Sequence, residues 1–219
     1  MDIVNILKTA LVENDNNRSR SQQRELGASS VYGCSRQAWE IINQRPKCNT
    51  NTEKLAAIIG TSIHETISNS LAQNNPFDDF LIEQEFSTPE LKGHIDLFIK
   101  STKTVVDWKT ITKKKISTFP SIQQTMQVQL YGYLLEANGY EVEKVCLVGI
   151  CRDGTMKDTI VYEEKYDAKM AQQGLDWIKR IKEMTEPPAG ERDVFFCQNY
   201  CEFYNPNAET EGVGCSAKK

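Results

Sequence analysis

The chain has 219 residues, enough to bury one substantial core with at most a small satellite beside it. Its 39% hydrophobic and 26% charged residues exclude a disordered or fibrous chain. A formal charge of −4 excludes coating nucleic acid through bulk charge, but leaves room for a local basic track around acids that a metal neutralises. No apolar run reaches membrane-spanning length, and the opening MDIVNILKTALVEND has neither the basic flank nor the cleavage site of a secretory signal. The expectation is a cytoplasmic protein with no membrane partner, in which the seven cysteines do not form structural disulfides.

Ile3, Ile6, Leu7, Ala10 and Leu11 recur at helical spacing and predict a short amphipathic helix over 2–13, followed by a polar connector over 14–25. Ser35 is the predicted cap of a helix over 36–44 that buries Ala38, Trp39 and Ile42. A longer helix is expected from about Thr52 to about Ala72. Residues 80–86 and 91–100 then read as a hairpin, and 103–110 as a third strand. A helix over 118–138 follows, with Leu130, Leu134 and Leu135 on its apolar side. Strands at 143–151 and 157–163 are joined through a turn at Asp153-Gly154, and Asp167 caps a last helix over 168–184. After Pro187-Pro188 there is no periodicity. The order predicts an α/β domain with a central mixed β-sheet flanked by helices. Residues 1–27 form an N-terminal helix and linker, 28–186 the core, and 187–219 a tail that closes with Cys34.

The chemistry concentrates in GHIDLF (93–98), VVDWKT (105–110) and QVQLYGY (127–133). Strand side chains repeat every two residues, so Asp107 and Lys109 share a face, while Asp96 is expected to end an acid-bearing turn of the neighbouring strand. Two carboxylates and an ammonium make little sense as core packing. They suit a Mg²⁺ or Mn²⁺ site for phosphodiester hydrolysis, with Lys109 orienting the attacking water or steadying the transition-state charge and the Trp108 carbonyl as a further ligand. A lone D-x-K is usually a surface ion pair, so its company decides. His64 shares a helix face with Gly60, Ile67 and Leu71, beside a glycine that permits close approach. His94 stands two residues before Asp96, and Glu85 reads as an exposed strand residue. Gln127 and Tyr131 lie at i, i+4 on the helix after the acidic strand, but Gln129 and Tyr133 repeat that spacing. A run such as Lys113, Lys114 and Lys115 is usually a solvated face, but beside such a centre it is placed to meet DNA phosphates.

Four cysteines stand apart from the rest. Cys146 and Cys151 lie in an apolar strand, and Cys48 in a polar stretch without evident chemistry. Cys197, Cys201 and Cys215, spaced C-x₃-C-x₁₃-C, together with Cys34 would clip the two ends of the domain through a tetrahedral Zn²⁺ or a [4Fe–4S] cluster. The spacing is not that of a zinc ribbon. Arg36, just after Cys34, is placed to face phosphate if such a clasp walls a DNA channel.

His64 in G-x-x-x-H-E, Asp96 in G-H-I-D, Asp107-x-Lys109 and Gln127-x-x-x-Tyr131 resemble, in order and spacing, the PD-(D/E)XK nuclease superfamily. The flavour is that of RecB-like exonucleases, including CRISPR-associated and phage-encoded members, over roughly residues 28–215. The resemblance implies a restriction-endonuclease-like core in which His64, Asp96 and Asp107 bind metal and Lys109 is catalytic. It favours Gln127 and Tyr131 over the second pair, because the apolar YGYLLE follows Tyr131. It also favours a [4Fe–4S] cluster on Cys34, Cys197, Cys201 and Cys215 over zinc, although this tail departs from the C-x₂-C-x₅-C spacing common there.

The expectation is a metal-dependent exonuclease acting on single-stranded DNA or frayed ends. It would work alone or be recruited by a helicase, a recombinase or the CRISPR adaptation machinery. Two alternatives remain: a catalytically silent nuclease-fold adaptor that binds DNA, and a structure- or sequence-selective endonuclease. The intact acid–acid–lysine set argues against the first, and the lack of a base-reading element against the second.

Overall fold

The computed structural model describes residues 2–17, 25–50 and 52–217. Residues 18–24, most of the expected connector, lie outside the described set. Five strands form one mixed sheet in the order β1 (Phe80–Ser87), β2 (Lys92–Ile99), β3 (Thr104–Ile111), β4 (Lys144–Cys151) and β5 (Ile160–Lys165). All neighbours are antiparallel except β3 and β4, which run parallel. A parallel pair needs a crossover, and α4 (Ile122–Ala137) supplies it. The sheet is flanked by helices, as the element order predicts.

One face carries the main core. There α4 is buried from Met126 to Leu135 apart from Tyr133, between the sheet residues Ile95, Val105, Val145 and Leu147 and the helix α5 (Ala168–Lys182). Helix α4 starts at a capping box in which Ser121 and Gln124 satisfy each other's backbone amides, and α5 starts on the Asp167 carboxylate. Two glycines set the closeness of this layer. A methyl at Gly174 would meet Met126 Sδ at 2.6 Å between the two helices, and one at Gly93 would meet Leu134 at 2.5 Å and Tyr131 at 3.0 Å between β2 and α4. The other face of the sheet packs Leu97, Val106 and Trp108 against Ile67 and Leu71 of α3 (Leu55–Gln73).

Several expectations are corrected in detail. Helix α2 (Ser35–Ile42) is capped at Cys34 rather than Ser35, and it buries Ala38, Trp39 and Glu40 while Ile42 stays partly exposed. Asp153-Gly154 is not a two-residue hairpin turn, because a 3₁₀ turn at Met156–Asp158 lengthens the connection. The aperiodic tail contains two short helices, α6 (Val194–Tyr200) and α7 (Ala208–Glu211). Helix α1 (Ile3–Asn16) forms where helical spacing predicts it, but Ile3, Val4, Ile6 and Leu7 stay more than half exposed. Its last turn is tied to the chain ahead of α3 by an Asp15–Lys54 ion pair of 3.2 Å. No helix among the described residues is long and apolar enough to cross a membrane.

Candidate active site

The site forms where two strands part. The β2–β3 ladder runs from Ile99↔Thr104 to Leu97↔Val106 and stops, so the next opposed pair, Asp96 and Asp107, is unzipped. Asp96 Oδ2 accepts the Trp108 amide at 3.1 Å in place of a backbone carbonyl. The N–H and C=O of one strand residue point to the same side, so the Trp108 carbonyl also faces this opening. Asp96 therefore stands in mid-strand, not at the end of a turn as its flanking residues suggested. Both carboxylates are 1% exposed.

Asp107 is held from two directions. Lys109 Nζ lies 2.9 Å from each carboxylate oxygen, and Gln127 Nε2, itself 2.6 Å from Tyr131 Oη, donates to Oδ1 at 3.2 Å. Only Oδ1 receives directed hydrogen bonds. Oδ2 is buried with none, because Lys109 approaches it at a poor angle. Burial pushes the Asp107 carboxyl up to about 6, against the pull of the Lys109 ammonium and with the push of Asp96. An orphaned oxygen on an expensive carboxylate is what a metal ligand looks like without its ion.

On the opposite wall His64 Nδ1 lies 3.4 Å from Asp96 Oδ1 and 3.9 Å from Glu83 Oε1. One ligand atom from each of His64, Glu83 and Asp96 falls within 4.8 Å of the others, which suits a divalent ion. Glu83 is fixed by His94 Nε2 at 2.9 Å and Ser68 Oγ at 3.0 Å. Burial works against its ionisation, but those two hydrogen bonds prevail and hold it below the usual carboxylate range. Its φ is 48°, a left-handed backbone that costs a non-glycine residue about 1 kcal/mol or more. Such strain in mid-strand, opposite Asp96, belongs to a site.

Glu83 is the residue the sequence reading missed. Glu85, read as exposed, is exposed and pairs with Lys92 at 3.1 Å. His94 reaches the site through Glu83. Gly60 is not needed for close packing, since a methyl there would meet only Thr110 Oγ1 at 3.4 Å. It lines the cleft instead.

A sequence model of the PD-(D/E)XK nuclease superfamily matches residues 11–205. The chain belongs to the PD-(D/E)XK nuclease superfamily. Among solved structures, that of SSO0001 is similar at 21% identity and a TM-score of 0.55, covering 93% of this chain and 94% of that one. The alkaline exonuclease LHK-Exo from Laribacter hongkongensis matches at 13% identity and a TM-score of 0.53, over 74% of this chain and 88% of that one. A complex of LHK-Exo with dAMP matches at 13% identity and a TM-score of 0.52, over 74% and 87%. These likenesses are of fold. A search of curated protein sequences finds no match.

Around this superfamily core the cleft opens to about 720 Å³ between α3, β1 and β3, with His64, Glu83 and Lys109 in its wall. A second cavity of about 620 Å³ shares Ala56, Thr110 and Gln124 with it, and extends the groove past Lys115 and Arg152. Of the three lysines only Lys115 lines this groove; Lys113 turns to Asp158 at 3.7 Å. The competing amide is resolved by geometry: Gln129 donates to Glu164 at 2.8 Å and accepts from the Asp167 amide at 2.8 Å, which anchors α5 rather than the cleft.

The cysteine tail folds back on α2. Cys197, Cys201, Phe203 and Ala217 form a small apolar cluster against Ile41. Arg36 does not face solvent or phosphate. It bonds Glu40 at 2.8 Å, the Pro188 carbonyl at 3.3 Å and the Gly214 carbonyl, stapling the tail to α2. Burial, then Cys215 and Cys34, push the Cys197 thiol up to about 11. Burial pushes Cys201 up to about 12, with Cys197, Cys34 and Cys215 adding to it. Cys48, which bonds the Tyr204 carbonyl at 3.5 Å, has no part in that mutual effect. Among the described residues no three cysteine sulfurs lie within 4.8 Å of one another.

Proposed function

We propose that the protein is a Mg²⁺- or Mn²⁺-dependent deoxyribonuclease, an exonuclease of RecB-like character acting on single-stranded or frayed DNA. One observation carries this reading: the parted strands leave Asp107 Oδ2 buried and unbonded beside Asp96, with Lys109 2.9 Å away and His64 and Glu83 across the gap. Asp96, Asp107, His64 and the Trp108 carbonyl are the assigned ligands, and Glu83 joins them. A bound divalent ion supplies an activated water and offsets the charge gathering on the phosphate.

The remaining work falls to the chain. Lys109, anchored by Asp107, reaches the cleft wall and donates to the attacking water or to a phosphate oxygen as charge develops there. Gln127, backed by Tyr131, fixes the rotamer of Asp107 from the buried side. Lys115 and Arg152 hold the phosphates of the strand that leaves the centre.

The resemblance to RecB-like exonucleases favours a [4Fe–4S] cluster over zinc on Cys34, Cys197, Cys201 and Cys215. Zinc–sulfur bonds of about 2.3 Å would bring the four sulfurs to roughly 3.8 Å from one another. No such close group of three sulfurs is present among the described residues. Burial and the neighbouring cysteines raise the Cys197 and Cys201 thiols, so a metal centre that takes them as ligands must displace their protons. Its role is to clasp Cys34 against the tail.

The wild-type protein should degrade end-labelled linear DNA with Mg²⁺ or Mn²⁺ and spare closed circles, and Asp107→Ala should abolish that activity in a folded protein. Absence of cleavage with either metal would move the chain to the catalytically silent, DNA-binding class, and cleavage of circles to the endonucleases. Anaerobically purified protein should be brown and contain iron and sulfide, and a colourless zinc protein would refute the cluster.

A further inference from the structure

Helix α6, which carries Cys197, spans the gap between the two helices that flank the outer end of the groove. At its start Arg192 donates to Gln123 Oε1 of α4 across 3.4 Å. At its end the Asn199 carbonyl accepts the Glu53 amide at 2.6 Å, just ahead of α3. Gln124, one residue beyond the first anchor, and Ala56, three beyond the second, line both cavities. Helix α6 is thus tied to the starts of both helices that contribute to the groove.

The outer face of α6 is aromatic. Phe196 and Tyr200, four residues apart in α6, share a face, and Arg192 just ahead of the helix lies over Phe196. The Arg192 guanidinium lies 5.2 Å from the Phe196 ring centre, and the Phe196 and Tyr200 rings are 5.4 Å apart at 43°. Phe196 and Tyr200 are 38% and 44% exposed, and Phe195 beside them is 74% exposed. Cys197 on the inward side is buried in the tail's apolar cluster, which fixes the helix and with it the row. Folding gains nothing from leaving three rings in water next to a cation. Unpaired bases offer what such a row takes: a flat π-face that stacks on rings and on a guanidinium plane. A closed duplex keeps those faces stacked inside itself and presents phosphates and groove edges.

We propose that Arg192, Phe196 and Tyr200, with Phe195, form a stacking platform for unpaired bases that delivers single-stranded nucleic acid to the metal cleft. This rests on the nuclease reading, whose substrate it narrows to strands already separated. Specificity for single strands then lies on the tail, not at the carboxylates.

The test uses the intact protein in chelator, with anisotropy of a labelled oligothymidylate and of a blunt hairpin duplex. The exposed rings are removed together in Phe195→Ala/Tyr200→Ala. Strand affinity should fall roughly tenfold or more while duplex affinity changes less than about twofold, and Phe195→Trp/Tyr200→Trp should restore it. Hydrolysis of bis(p-nitrophenyl) phosphate with Mn²⁺, which needs the metal centre but no bases, should be unchanged in both variants. Unchanged strand affinity overturns the proposal, as does an equal loss for strand and duplex. Unchanged strand affinity with loss of self-association in sedimentation would assign the row to a second copy of the chain. Wild-type protein that binds strands through these rings yet cleaves nothing would leave the platform standing and remove the nuclease reading.

Discussion

The Asp96 carboxylate accepts the Trp108 amide at 3.1 Å at the point where the backbone ladder between their strands has ended. One side-chain oxygen thus replaces a sheet hydrogen bond, which holds the two strands apart by the width of a carboxylate. That substitution brings Asp96 and Asp107 face to face across a gap. A continuous ladder would have closed that gap with backbone hydrogen bonds.

Asp107→Asn should stabilise the metal-free protein at pH 8 while abolishing cleavage. The native carboxyl is raised from 3.8 to about 6, so the folded state holds this proton more tightly than the unfolded chain. Its contribution to stability is greatest below pH 4 and is lost as pH rises through about 6. An amide at this position escapes that loss. A gain on the order of 1–3 kcal/mol at pH 8, shrinking towards zero near pH 4, is expected from calorimetry in chelator. A variant less stable at pH 8 would show that Asp107 is an ordinary structural ion pair.

Lys109→Gln should separate catalysis from metal binding. Cleavage should fall about 10²–10³-fold, because a donor to the developing charge is removed. Mn²⁺ affinity, read by calorimetric titration, should hold or tighten, because an ammonium 2.9 Å from Asp107 competes with the cation.

Glu83→Gln should weaken Mn²⁺ binding about tenfold or more, and Glu85→Gln should leave it unchanged. The two residues are neighbours in β1, but only Glu83 meets His64 and Asp96. Equal affinities across wild type and both variants would remove Glu83 from the ligand set.

Arg36→Ala should loosen the tail without touching chemistry. Glu40 is 1% exposed, its Oε2 already lacks a hydrogen bond, and Arg36 provides its 2.8 Å partner. Removing that partner should cost up to about 3 kcal/mol and expose residues after Pro187 to limited proteolysis. The salt dependence of DNA binding should not change, since Arg36 bonds Glu40 and the tail rather than phosphate.

The Asp107-x-Lys109 pair was legible because strand periodicity is local: two residues apart means one face. The strands and the crossover helix were legible for the same reason, whereas helical spacing narrowed the amide–phenol pair to Gln127–Tyr131 or Gln129–Tyr133 and left the choice open. Glu83 was not, because alternation fails where it sits. Leu81 belongs to the main core and Ile82 to the α3 side, yet Phe86 returns to the main core, so β1 turns over in between. Ile95 and Phe98 show the same break around Asp96 in β2. Two strands losing alternation at opposed positions was a readable sign of distortion, which a strict period-two reading passes over. Arg36 failed differently. Its two carbonyl partners in the tail lie more than 150 residues away, and a cation beside a presumed channel reads as a phosphate contact until the tail is seen to cover it. Periodicity likewise gives α1 its apolar stripe but says nothing of what the stripe meets.

The absent side chain at Gly93 reaches further than its size suggests. Tyr131 and Leu134 occupy the volume a methyl group would need, and Tyr131 is the backstop for the amide that holds Asp107. An alanine there would lever the crossover helix away from the sheet and loosen the grip on the carboxylate from behind. Fidelity of the metal centre is thus vulnerable at a position that carries no functional group and never meets the substrate.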